Sequence, residues 1–256
     1  MDTQDNIVVL IPSRFGSSRL PGKPLRKILG REMILRVCDR VKESGVGKFY
    51  VLTDDERIFD LVSENGFSVL MTSTGHENGT SRVIEATEIL GLGDENIVVN
   101  VQGDEPLIPP ENVKKVASLL ARNSDADIAS LCAKSNASTD NFNPNSVKVV
   151  LNKRNEALYF SRAPIPYDRN NWSDGMDITS AHFSSLKHIG IYAYRMAALR
   201  KINAMKECSL ETTEHLEQLR FLYNGLTIQM EVLNESPPKG VDTEADLLAV
   251  EKILLN

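Results

Sequence analysis

The chain has 256 residues, 41% of them hydrophobic and 25% charged. These are the proportions of an ordinary soluble globular protein with room for one large domain. A formal net charge of −6 excludes a general attraction to nucleic acid or an anionic membrane, so any anionic ligand has to be held by locally placed cations. Cys38, Cys132 and Cys208 are odd in number, far apart and form no CxxC pair, so reduced thiols in a cytoplasmic protein are expected, without a disulfide framework or zinc site.

The opening MDTQDN has no basic leader pattern, and no apolar run reaches membrane-spanning length. Ile7–Ile11 reads as the first strand. Met33, Ile34, Val37, Cys38 and Val41 then recur at helical spacing. Phe49–Leu52 is a second strand, Ile58, Leu61 and Val62 mark a second helix, and Ser68–Met71 is a third strand. Val83, Ile84, Thr87 and Leu90 mark a third helix before a strand at Ile97–Val101. Strand–helix–strand units of this length imply an α/β fold with a mostly parallel sheet, whose ligands sit at the carboxyl ends of its strands. Further on, Val147–Leu151, Ala157–Phe160, His188–Tyr194 and residues 226–233 read as strands. Tyr167–Ala181 reads as a polar surface arm, and Thr212–Asn224 as a helix carrying Leu216, Leu219, Phe221 and Leu222. The last helix, Glu244–Leu255, is announced by Thr243 as N-cap and Asp246 at its third position, a capping box. No low-complexity linker divides the chain, which favours one domain with an excursion over two independent ones.

The stretch IPSRFGSSRLPGKPL, Ile11–Leu25, follows the first strand and approaches two phosphate-binding patterns without matching either. A P-loop has four residues between its glycines and a hydroxyl after its lysine; here five residues separate Gly16 from Gly22, and Pro24 follows Lys23. The dinucleotide fingerprint G-x-G-x-x-G fails because Gly16 has no glycine two positions on, which disfavours an NAD-dependent oxidoreductase. What remains still suits an anion. Gly16, Ser17 and Ser18 let backbone N–H groups approach it, Arg14, Arg19 and Lys23 bring cations, and Pro12, Pro21 and Pro24 stiffen the loop.

Two acidic clusters lie far downstream. Gln102-Gly103-Asp104-Glu105-Pro106 follows a strand and suits magnesium, which takes oxygen ligands and shares them with substrate phosphates; a plain Gly-Asp turn is the equal alternative. Lys239-Gly240-Val241-Asp242-Thr243 offers a second carboxylate, or only a polar residue ahead of a helix.

The loop joins with TDDERI (Thr53–Ile58), HENGTSR (His76–Arg82), VNVQGDEPLIP (Val99–Pro109), NPNSVKVV (Asn143–Val150), EALYFSRAPIPYDR (Glu156–Arg169), KHIGIYAYR (Lys187–Arg195), LEQLR (Leu216–Arg220) and GVDT (Gly240–Thr243). These blocks span nearly the whole chain. In content and order they resemble the sugar-activating nucleotidyltransferases, most closely the 3-deoxy-manno-octulosonate cytidylyltransferase family. The resemblance implies the nucleotide-diphosphosugar transferase fold, a Rossmann-like mixed, mostly parallel sheet flanked by helices with a smaller dimerisation and sugar-binding excursion. Within a single domain it implies a nucleotide-binding half to about residue 130, a sugar-binding and dimerisation part over about 131–235, and a return to the main sheet with the C-terminal helix over 236–256. The implied reaction joins CTP to 3-deoxy-D-manno-octulosonate (Kdo), giving CMP-Kdo and pyrophosphate for lipopolysaccharide. Magnesium is the implied cofactor and a cytoplasmic homodimer the implied state, with neither nucleic acid nor membrane as partner.

The resemblance also implies roles. Arg14, Lys23 and Asp104 act in catalysis, Arg14 and Lys23 by neutralising the triphosphate. Pro12, Ser13, Arg14, Gly16, Lys23, Gly79, Thr80 and Arg82 bind the nucleotide; Asp104 and Asp242 hold magnesium. Gln102, Arg162, His188, Tyr192, Glu217 and Gln218 meet the sugar acid. Arg162 and His188 suit its carboxylate and Tyr192, Glu217 and Gln218 its hydroxyls, with Gln218 expected to make a more direct contact than Glu217. Tyr159, Phe160, Ile189 and Ile191 are assigned to the core or a subunit interface, and His76, His182 and His215 receive no catalytic role. No nucleophilic triad is present or needed, because such a transfer rests on positioning and charge neutralisation. The family block SGT[DE]R reads Asn78-Gly79-Thr80-Ser81-Arg82 here, so Ser81 replaces a carboxylate and Asn78 a serine; CTP is still expected to be preferred. The 8-amino analogue of Kdo as substrate, and a CTP-binding regulatory protein without turnover, are the alternatives. N-acylneuraminate cytidylyltransferases share the chemistry but lack the later blocks.

Overall fold

The computed structural model describes residues 6–16, 19–76, 78–135, 141–169 and 185–255. Ser17, Ser18, His182 and, from residue 170 on, the arm expected over Tyr167–Ala181 lie outside them. β1 (Ile7–Pro12) leads into the basic loop and a turn of 3-10 helix at Lys23–Leu25; the short pair β2 (Lys27–Ile28) and β3 (Arg31–Glu32) then precedes α1 (Met33–Ser44). Next come β4 (Lys48–Thr53), α2 (Glu56–Glu64), β5 (Val69–Met71), α3 (Gly79–Ile89), β6 (Ile97–Asn100), α4 (Pro110–Arg122) and β7 (Ile128–Lys134). The second half holds β8 (Lys148–Leu151), β9 (Ala157–Ser161), β10 (Leu186–Arg195), α5 (Met196–Ala204), α6 (Ser209–Glu214), α7 (Gln218–Tyr223), β11 (Ile228–Leu233) and α8 (Glu244–Leu255).

One sheet runs through both halves in the order β11-β7-β10-β6-β1-β4-β5, with β8 and β9 attached through β10. β1 pairs in parallel with β4 and β6, β4 with β5, and β11 with β7, while β10 is antiparallel to β6, β7 and β8. The mixed, mostly parallel sheet flanked by helices is therefore the architecture expected. Period-2 alternation sends Ile7, Val9 and Ile11 into a core with α1, α2 and α4, and Val8 and Leu10 into a second core with α3 and α5. A strand buried on both faces needs an unbroken apolar run, which is why IVVLI announces β1 so clearly. Among the described residues no helix is long and apolar enough to cross a membrane, and all three cysteines are free and buried.

Five elements were not marked by the sequence pattern: the short pair β2 and β3, and α4, β7 and α5. One expectation needs correction. The single helix expected over Thr212–Asn224 is two short ones, α6 and α7, broken at His215, which sits at φ 50°. The break has a partner elsewhere: Arg162 Nε donates to Glu214 O at 2.6 Å and Nη2 to His215 O at 3.2 Å, so carbonyls that a continuous helix would use are satisfied by a distant guanidinium.

The C-terminal segment returns to the first loop. Val241, Leu247 and Val250 pack with Leu20, Ile28 and Met33 in a third cluster. The capping box of α8 is formed: Asp246 N donates to Thr243 Oγ1 at 3.3 Å and Thr243 N to Asp246 Oδ2 at 2.9 Å. Thr243→Ala should lower the unfolding free energy by about 1 kcal/mol, read as a lower denaturant midpoint at unchanged slope.

Candidate active site

Because β1, β4 and β6 run in parallel, their carboxyl ends open on one edge of the sheet, where α/β sheets bind ligands. A cavity of about 280 Å³ lies there. Pro12, Ser13, Arg14, Gly16, Arg19 and Lys23 line it from the first loop, Gly79 and Arg82 from the start of α3, Gln102 and Asp104 from beyond β6, and Asp242 from the C-terminal segment. The walls meet closely. A Cβ on Gly103 would stand 2.7 Å from Pro12 O, so that position needs the bare backbone, and one on Gly240 would lie 2.8 Å from Glu105 Oε1 and 3.1 Å from Asp104 O.

At the floor, Lys23 Nζ joins three segments. It donates to Asp104 Oδ2 at 2.6 Å, Val241 O at 3.1 Å and Asp242 Oδ1 at 3.2 Å, and Arg19 Nη2 reaches the same Asp242 oxygen at 3.1 Å. Two carboxylates thus face the cavity with a cation between them. This all-oxygen pair fits magnesium, which takes one or two carboxylates and completes its shell with phosphate oxygens. Glu105 lies beneath; burial, with Asp104 and Asp242 adding to it, pushes its carboxyl up to about 8. At neutral pH this third acid is mainly protonated and adds little negative charge. At the rim Arg14 is exposed and forms no ion pair among the described residues. The Ser13 hydroxyl is buried without a protein partner. Both are free to meet an anion.

The α3 wall is braced from behind. Asn78 caps the helix, its side chain accepting from Ser81 N at 2.9 Å. Arg82, almost fully buried, donates to Asp54 Oδ2 at 2.6 Å and to the Thr72 hydroxyl, so its guanidinium shapes the wall and is tied to protein groups. Ser81 Oγ lies 3.1 Å from His76 Nδ1, and His76 Nε2 lies 2.6 Å from Glu85 Oε2. Thr80 does not line the cavity: it is buried, and its hydroxyl donates to Glu217 Oε2 at 2.6 Å.

Of the residues expected on the sugar side, only Gln102 lines this cavity. Arg162, His188, Tyr192, Glu217 and Gln218 stand on β10, α7 and the segment after β9. Arg162 directs three N–H groups at the carbonyls of Pro144, Glu214 and His215 and forms no ion pair among the described residues. His188 packs between Phe160, edge-on at 5.0 Å between ring centroids, and Tyr192, tilted at 5.3 Å, and its Nε2 lies 3.0 Å from Ser130 Oγ. Burial pushes its imidazole down to about 3, so it offers a neutral hydrogen-bonding group. Glu217, held by Thr80 and by Arg220 Nη2 at 3.3 Å, is raised by burial. Gln218 is buried.

The family model described as Cytidylyltransferase matches residues 8–228. The chain is 49% identical over 246 residues to the 3-deoxy-manno-octulosonate cytidylyltransferase of Hahella chejuensis, covering 96% of each chain. It is 47% identical to the protein of the same name from Alcanivorax borkumensis, over 93% of this chain and 94% of that one. The chain belongs to the 3-deoxy-manno-octulosonate cytidylyltransferase family. It is a nucleotidyltransferase. A solved structure titled as CMP:2-keto-3-deoxy-manno-octonic acid synthetase complexed with CTP superposes with a TM-score of 0.89 at 39% identity, covering 97% of this chain and 98% of that one. A cytidylyltransferase from Leptospira borgpetersenii, 16% identical with a TM-score of 0.62 over 98% of this chain and 87% of that one, shares the fold.

Three residues at the site escaped the assignment made from the sequence. Arg19 was visible as a loop cation but not as a partner of Asp242; His76 lines the cavity though no role was given to it; Glu105 is buried under the carboxylate pair. The neutrality of His188 is directly testable. Its imidazole resonances, assigned by their loss in His188→Asn, should keep the chemical shifts of the neutral ring down to about pH 5. A midpoint near the ordinary value of about 6.5 would contradict its burial.

Proposed function

We propose that the chain transfers CMP from CTP to the anomeric hydroxyl of Kdo, releasing pyrophosphate and giving CMP-Kdo for lipopolysaccharide. The observation that carries this is the meeting of Arg14, Arg19 and Lys23 with Asp104 and Asp242 around one cavity, in a chain so similar to proteins named for that reaction. The triphosphate lies along the basic loop. Ser13 and the backbone near Gly16 donate hydrogen bonds to it, and Arg14 and Lys23 neutralise it. Arg offers a planar fork for phosphate oxygens, and Lys a mobile charge that turns from the carboxylates toward the phosphates. Asp104 and Asp242 hold magnesium, which when bound adds charge neutralisation at the triphosphate. The sugar hydroxyl attacks the α-phosphorus in line and gives up its proton to solvent, the bond to the bridging oxygen breaks, and the cations hold the charge that develops on pyrophosphate.

The sugar acid lies on the second-half side of the cavity, reached from it through Gln102. Tyr192, His188, Glu217 and Gln218 supply hydrogen bonds there, with His188 in its neutral form. Arg162, two of whose five N–H groups are not engaged by the carbonyls above, supplies the charge for the sugar carboxylate. The working unit is a cytoplasmic homodimer with a single nucleotidyltransferase domain per chain; exposed Leu158 on β9 fits a subunit contact through the middle part.

With CTP, magnesium and Kdo, pyrophosphate release should be rapid; CTP binding without turnover would contradict the proposal. Asp104→Asn should lower kcat far more than it raises the KM for Kdo, and a wild-type rate would contradict the paired-carboxylate site. Arg14→Ala should lose roughly 3 kcal/mol of transition-state stabilisation, read as kcat/KM for CTP; an effect confined to Kdo affinity would contradict its role.

A further inference from the structure

The block Thr53–Ile58 supplies no group to the cavity, yet its side chains brace two of the cavity's walls. We propose that Arg57 and Asp55 are positioning residues for the nucleotide, acting through Phe15 of the basic loop; this rests on the reading of that loop as the triphosphate site. The Arg57 guanidinium carbon lies 3.5 Å from the centroid of the Phe15 ring, in face-on cation–π contact. Asp55 fixes the fork before it meets the ring: Nε lies 3.0 Å from Oδ1 and Nη2 2.6 Å from Oδ2. The same Oδ1 accepts from Arg57 N at 3.0 Å as the N-cap of α2, so the arrangement is built into the first turn of the helix.

Phe15 is held from a second side. Gly22, at φ 65°, lets the ring approach so closely that a Cβ there would lie 3.2 Å from it, and the ring packs against the core cluster of α1 and α2. Arg14 and Gly16, which line the cavity, flank Phe15 in the chain, and Lys23 follows Gly22. Gripping Phe15 therefore fixes the positions from which the loop's cations and backbone donors reach an anion. One residue before Asp55, Asp54 holds Arg82 in the opposite wall at 2.6 Å. The exit of β4 thus spaces both walls.

An exposed Arg–Asp pair alone contributes little to stability. Anchoring a loop that must otherwise be ordered by its ligand lowers the cost of binding instead, so the effect belongs in nucleotide affinity and not in the chemical step. The test is CTP binding by calorimetry together with steady-state kinetics on wild type, Arg57→Ala, Arg57→Lys, Phe15→Ala and the double alanine variant, each checked by thermal unfolding. Arg57→Ala should raise both the Kd and the KM for CTP about three- to tenfold, with kcat and the KM for Kdo held within about twofold. Arg57→Lys, which keeps a cation over the ring, should recover most of the loss, and the double variant should bind no more weakly than Phe15→Ala. A CTP Kd unchanged in Arg57→Ala, equal losses for CTP and Kdo, or additive losses in the double variant would overturn the proposal. Wild-type protein that fails to bind CTP would overturn the reading of the loop itself.

Discussion

The bonds of Lys23 to Asp104 and Asp242 hold together parts of the chain 81 and 219 residues apart. The active edge depends on them. They join the loop after β1, the turn after β6 and the segment before α8, and the bare backbone of Gly103 allows the first two to come close enough. Partly buried ion pairs recover their desolvation cost only with good geometry, so such a cluster is weak evidence of a stability device. Its position at the carboxyl ends of parallel strands makes it a charge-handling site. Two carboxylates, two cations and a Glu105 whose carboxyl is raised by burial leave it with little net charge.

A second polar connection runs across the molecule. Thr80 in the first turn of α3 donates to Glu217, which is also held by Arg220, itself paired with Glu211 at 3.1 Å. The family resemblance assigns Thr80 to the nucleotide and Glu217 to the sugar; in the fold the two side chains meet. This part-buried hydrogen bond ties the first turn of α3 to the start of α7.

The sequence was most legible where burial on both sheet faces demands continuous apolar runs, as in β1, and where caps are local, as at Thr243 and Asp246. β7, rich in small residues as IASLCAK, lacks the β-branched density that announces a strand, and α4 opens behind Pro109-Pro110, which reads as a loop. The break between α6 and α7 was illegible because the guanidinium that satisfies its carbonyls, that of Arg162, lies some fifty residues upstream. At the site, residue types were legible and their states were not. The lowering of the His188 imidazole and the raising of the Glu105 carboxyl follow from burial, which exists only once the fold has formed.

The central claim is that the Lys23–Asp104–Asp242 cluster is where triphosphate and metal meet. A crystal structure with CTP and manganese, the metal located by anomalous scattering, tests it most directly. The account predicts the metal on Asp104 and Asp242, with the Lys23 ammonium turned from Asp104 to the phosphates. Lys23 still paired with both carboxylates, and the metal and triphosphate bound elsewhere, would contradict it.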